Sequence, residues 1–319
     1  MKRLVRFSVM FAVIALLVLG SALSTFAQGG DNPLCSGLSD EDCQLLSAAS
    51  TSMDGVTSFA IPAWSVNLTF ASGTDTGSFV AAGSGHIVLP ADPADPMAGL
   101  LVHLVIDDAT STSGTDTKAG AGEILIRDGM VFVNRNGEWF GEEMTEEDLA
   151  EFQGMFGGGE GGMGLDQLGI DLTGVATTTR TDQDGMALFT TNVDINLLLN
   201  ALLASPALGS LMGADPGMAE MTPEQLQAMG AMIAPMLTGT TISFGQVVNP
   251  EDSTLRGVRV DATLGLDLTM FDPEAGSITG EFHFSADFDQ FNEAFDVPAP
   301  ESFRPLEELD TEGALPLEM

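Results

Sequence analysis

From Val258 to Leu268 every even position is apolar: Val258, Val260, Ala262, Leu264, Leu266 and Leu268. Arg259, Asp261, Thr263 and Asp267 stand between them. An extended chain turns successive side chains to opposite faces, so this period of two gives one apolar and one charged face. The alternation recurs at Ile242 and Phe244. It appears again in SITGEFHFSADF (277–288), where Ile278, Phe282, Phe284, Ala286 and Phe288 oppose Thr279, Glu281, His283, Ser285 and Asp287. Strands of this kind build antiparallel sheet with one dry and one wet side. A sandwich or a closed barrel would share the pattern, so the helices must discriminate. Three short ones are expected. LSDEDCQLLSAASTSM carries Ser39 as a cap with Asp42 three residues on. INLLLNALLASPAL stops near Pro206, and TPEQLQAMGAMIAPML starts at a Thr222 cap, with Pro223 in its first turn and Gln225 closing a capping box. Short helices gathered on one side of an antiparallel sheet of about nine to eleven strands make an α+β fold.

Turn signals support this count. Asp128-Gly129 joins GEILIRDG to MVFVNRNGEWFG, and Asp184-Gly185 lies between the two strand-like runs of TGVATTTRTDQDGMALFTTNVD (173–194). Both read as tight hairpins. TDQDGM (181–186) also approaches a calcium loop, but it lacks the later glutamate that such a loop needs. The Gly/Met-rich stretch 153–169 has too little apolar periodicity to pack and reads as an inserted loop.

The first 27 residues have the order of an export signal. Lys2, Arg3 and Arg6 precede an apolar run from Phe7 to Leu23, and small residues follow. Cleavage is expected after Ala27, with Ser24 as the alternative and retention as a membrane anchor as a third outcome. The domain is then expected to span 28–303, followed by an acidic tail at 304–319. Export places Cys35 and Cys43 in an oxidising compartment, where so close a pair is expected to form a disulfide. The signal holds three of the ten basic residues, leaving seven against 46 acidic ones, and Lys118 is the only lysine left. Nucleic acid and anionic lipid surfaces are poor partners for such a field. Membrane contact is expected to be transient or to run through a retained N-terminal helix. Oligomeric state is left open.

No catalytic constellation stands out. His86, His103 and His283 lie scattered in strand-like runs, and G-x-S-x-G does not occur. The chain is expected to be non-enzymatic, with neither metal nor cofactor. Met229, Met232 and Met236 share one helical face. Without accompanying cysteine or histidine they suit core filling, or an adaptable apolar surface, better than copper.

The chain resembles the LppX/LprG-type envelope lipoproteins, which share the LolA-like fold. The resemblance rests on the GEILIRDGMVFVNRNGEWF hairpin with its Asn-Gly-x-Trp turn, and on the closing DFDQFNEAFDVPAPE. It covers roughly residues 38 to 303. It implies a curved antiparallel half-barrel whose concave face is covered by the three helices, with acyl chains held between. The residues that would line that cavity are Phe132, Leu198, Leu202, Met229, Met232, Phe244, Leu264, Leu266, Phe282 and Phe284. The closing stretch would be an exit strand ended by Pro298 and Pro300. No lipid-attachment cysteine follows the signal, so a freely secreted or envelope-held binder of lipid or another amphiphile is expected. Two other readings stay open: a cell-surface structural or interaction protein with a filled core, and an envelope-stress sensor built on the same fold.

Overall fold

The computed structural model describes residues 33–53, 55–73, 75–90, 97–145, 174–204, 225, 230–267, 269 and 276–311. The expected signal, the 153–169 insertion, the stop near Pro206, the Thr222 cap and Met229 lie outside them. Eleven long strands form one open antiparallel sheet. Six come from the first half: β1 (Ser58–Ser72), β2 (Asp75–Val88), β3 (Leu101–Ser113), β4 (Asp116–Arg127), β5 (Met130–Arg135) and β6 (Glu138–Glu143). Five come from the second: β7 (Ala176–Gln183), β8 (Met186–Val193), β9 (Thr241–Asn249), β10 (Thr254–Asp267) and β11 (Ser277–Asp287). Each half is a meander, and the two join where β1 pairs with β11. A two-residue β12 (Arg304–Pro305) adds to β6 in parallel. The architecture is the expected α+β half-barrel, with edges at β7 and β12.

Local chemistry explains the turns. Asp128-Gly129, Asn136-Gly137 and Asp184-Gly185 all have both residues at positive φ, the pairing that lets a two-residue hairpin follow the strand twist. β2 and β4 begin well before the runs that the sequence marks as strand-like. Their early stretches, DTGSFVAA and DTKAGA, carry mostly small residues, so the alternation there is faint. Register slips at Ile61/Trp64 in β1 and Ile106/Ala109 in β3 insert bulges, which bend a strand and increase its twist.

Helix α1 (Asp40–Ser52) begins at Ser39 as expected. The Ser39 hydroxyl accepts from the Asp42 N–H at 3.2 Å and donates to its carboxylate at 2.8 Å. The Cys35–Cys43 disulfide ties the preceding turn to this helix. Leu46 and Ala49 bury against Val258, Val260, Phe284, Ala286 and Phe189, which defines the inner face of the sheet. Helix α2 (Ile195–Ala204) is capped by the Asp194 carboxylate, which accepts from the N–H groups of Asn196 and Leu197 at 2.9 and 3.0 Å.

The closing stretch is not an exit strand. Beyond β11 the chain crosses to the outer face as a strap. Asp289 exchanges two backbone hydrogen bonds with Ala60, and the Asn292 N–H donates to Ser58. Phe295 lies 4.6 Å from His86, Val297 joins the cluster of Leu101, Leu125 and Phe132, and Phe303 meets Phe132 edge-on at 5.2 Å. Arg127 donates to Asp296 and to the Val297 carbonyl, fixing the strap midway. Nor do residues 304–311 form a tail. Arg304 lies over the Phe140 ring, and Leu309, 1% exposed, buries against Val133 and Phe140. The acidic residues there mask one leucine that the sheet edge needs. Residues 312–319 lie outside the described chain.

The strap covers a histidine pair that the sequence scatters. His86 and His103 stack across β2 and β3 with centroids 6.1 Å apart, and each has a buried Nδ1 without a partner. The other nitrogen of His103 meets Glu123 at 3.2 Å. Burial, and secondarily the neighbouring His103, lowers the pKa of His86 below its ordinary 6.5. A lowered folded value means stability is complete above the unfolded value and is lost as pH falls from there through the folded value. Amide exchange over 289–303 is therefore expected to accelerate, beyond its intrinsic pH dependence, as pH falls below the ordinary histidine value of 6.5. His86→Gln should remove most of that change. Separately, Leu309→Ala is expected to lower stability by about 2–4 kcal/mol in urea titration, which no true tail residue would do.

Candidate functional site

Antiparallel register sorts the inner face into rows that run across the strands. Val258, Ala286 and Trp64 form one, and Val260, Phe284 and Val66 the next. Ala262, Phe282, Leu68 and Phe79 follow, then Leu264, Gly280 and Phe70. All are on one face, yet their exposure changes steeply. Val258 and Ala286 are 2% and 1% exposed, whereas Leu264 and Phe70 reach 42% and 36%. Six residues of strand, about 20 Å, separate the dry end from the open end.

The cause is the reach of α1. Its buried residues pack on the first rows, and its 13 residues span only about 20 Å. Toward the other end the apolar alternation continues past α1; among the described residues the short turn Ala234–Leu237, with Met236 buried, also packs on β10. Phe244, out on β9 in the same row as the buried Val260 and Phe284, is 39% exposed, and Met232 and Leu197 are 47% and 45% exposed. Phe70 lies over Gly77 on β2, where any β-carbon would strike its ring.

The expected lining residues therefore divide. Phe244, Leu264, Leu266, Phe282 and Phe284 share the inner face. Phe284 belongs to the dry core, Phe282 and Leu266 are half-buried, and Phe244 and Leu264 are open. Leu198 and Leu202 pack with Val175 and Val193 in a separate small cluster at the β7–β8 edge. Phe132 is misplaced by the sequence reading. It pairs with Leu125 and Gly141 on the outer face and packs under Phe303. β5 is too short for parity to reveal which face joins the core. Missed altogether were Leu68, Phe70 and Phe79, while Ile242 and Ile278 were read as apolar-face residues but not as lining. The even positions of SVNLTF (65–70) carry the same alternation as β10 and could have found the first two.

One buried polar pair on this face satisfies itself. The hydroxyls of Thr178 and Thr191, both buried, share a hydrogen bond of 2.8 Å beside Phe244. His283, by contrast, is exposed on the outer face and holds Asp261 at 2.6 Å. Among the described residues no three histidine, cysteine or carboxylate side chains come together as metal ligands would. No described helix is long and apolar enough to cross a membrane.

No protein-family model matches the chain, and neither does any curated protein. Among solved structures, LprF from Mycobacterium bovis is similar at 14% identity, over 82% of this chain and 98% of that one, with a TM-score of 0.34. A porin-like protein from Bacteroides uniformis aligns at 8% identity over 71% of this chain and 96% of its own, with a TM-score of 0.18. A β-barrel-like protein from Brucella abortus aligns at 11% over 72% and 99%, with a TM-score of 0.17. These likenesses concern the course of the chain, not a ligand.

Core and open positions should respond differently to truncation. Phe284→Ala is expected to cost about 3–5 kcal/mol of stability. Phe244→Ser and Leu264→Ser should each stay within about 1 kcal/mol. Urea midpoints at constant m-value check both.

Proposed function

We propose that the protein is a non-enzymatic binder or carrier of lipid or another amphiphile, which it holds on the open end of the inner face. One observation supports this above the others. The apolar alternation of β1, β9, β10 and β11 runs past the cover of α1, so large side chains stay partly exposed in adjacent rows. Monomeric soluble proteins rarely leave such a contiguous patch without a use. Burying an acyl chain on it would contribute roughly 0.8 kcal/mol per methylene. The disulfide suits work outside a reducing cytoplasm, in keeping with a secreted or envelope location. The strongly acidic chain makes anionic membrane surfaces and nucleic acid unfavourable partners.

Native mass spectrometry of the protein purified from its own host, followed by organic extraction, tests the proposal. A bound mass that extracts as lipid is the expected result. The variant Leu264→Glu, which places a charge in the open row, should lose that mass while keeping its urea midpoint within about 1 kcal/mol. A clean apo mass, with no uptake of an added neutral fluorescent alcohol of long chain, would move the reading to a structural or interaction protein.

A further inference from the structure

The ion pairs among the described residues help to single out one cation. Arg127, Arg180, Arg256, Arg259 and Arg304 each hold at least one carboxylate. Lys118 holds none among the described residues, although the chain carries 46 acidic side chains. It sits on β4 opposite Ser111, and Ser111 sits opposite Phe79, which faces Leu68, which faces Phe282. Lys118 is thus the far end of the same inner-face row that carries the half-buried Phe79, Leu68 and Phe282. By register the acidic groups on that face nearest to it are Asp116, two residues along β4, and Asp75 at the start of β2. Neither comes within ion-pair distance of it.

Resting on the amphiphile reading, we propose that the ligand is a single-chain, monoanionic amphiphile of the long-chain carboxylate class. Its head meets Lys118 and its chain lies along the Phe79–Leu68–Phe282 row. From β4 to β11 there are four interstrand steps, about 19 Å at roughly 4.8 Å each, which is the reach of a long acyl chain. Charge complementarity decides the head. A −36 chain repels anions generally, so an anionic head is tolerated only where a cation has been left uncommitted. One ammonium matches one negative charge. A multiply charged head would meet the surrounding acidic field with a single counter-ion. The specificity is therefore local, and it is screened by salt, since Lys118 is exposed.

The test compares a long-chain fluorescent carboxylic acid with the primary alcohol of the same chain, on the full protein and on Lys118→Gln. At low salt the wild type should bind the acid about fivefold more tightly than the alcohol, a ratio of the size an exposed ion pair can supply. Lys118→Gln should bring that ratio to about one while leaving alcohol affinity and the urea midpoint unchanged. Added salt should erode the wild-type ratio and not the variant's. If the alcohol binds but the wild type shows no preference, or Lys118→Gln keeps it, the anionic head is overturned and amphiphile binding stands. If neither probe binds, both proposals fall.

Discussion

The size of the inner face relative to its cover governs this structure. Eleven long strands at roughly 4.8 Å spacing give a sheet about 50 Å across. Helix α1, about 20 Å long and about 10 Å wide, covers only part of so broad a surface. Where α1 lies, apolar side chains reach core burial. Beyond it they remain partly wet although their sequence pattern is the same. The open apolar end is a consequence of geometry, and the ligand-binding proposal depends on it.

A broad open sheet has a second problem, because its edges present unpaired backbone groups to other chains. Both edges are managed by segments outside the two meanders. At β7 the Thr178 N–H donates to the Ser36 carbonyl at 2.7 Å, and Arg180 reaches the α1 residue Asp42. The disulfide holds that N-terminal turn against α1, so one clasp secures both the helix and the edge. At β6 the short β12 and the turn carrying Leu309 perform the same service. The strap between them shields Leu101, Leu125 and Phe132, giving the outer face a small core of its own.

Electrostatics has a different role on each face. The arginines on strands and strap are committed to carboxylates and backbone carbonyls that join distant segments, such as Arg127 to the strap and Arg259 to the Ala286 carbonyl. Exposed pairs of this kind contribute little stability individually. They consume nearly all the positive charge in a chain that has little, which is why a lysine with no ion pair among the described residues, at the end of an apolar row, stands apart.

Parity, turn chemistry and capping are local properties, and the sequence alone determined them. The even positions of β10 and β11, the Asp128-Gly129 and Asp184-Gly185 turns, the Ser39 cap and the Cys35–Cys43 pair were legible within a few residues each. Their outcome depends on steric preferences of adjacent peptides. The tertiary structure decided what those faces meet. Pairing Trp64 with Ala286 joins segments more than two hundred residues apart, and no local pattern announces it. The same long-range choice sends Phe132 to the outer face, lays the closing stretch across His86, and keeps Leu309 in the fold. It also leaves Phe244 and Leu264 open while Phe284 is sealed. A strand's own residues state which side is apolar, but only its neighbours and the helix above determine whether that side is dry.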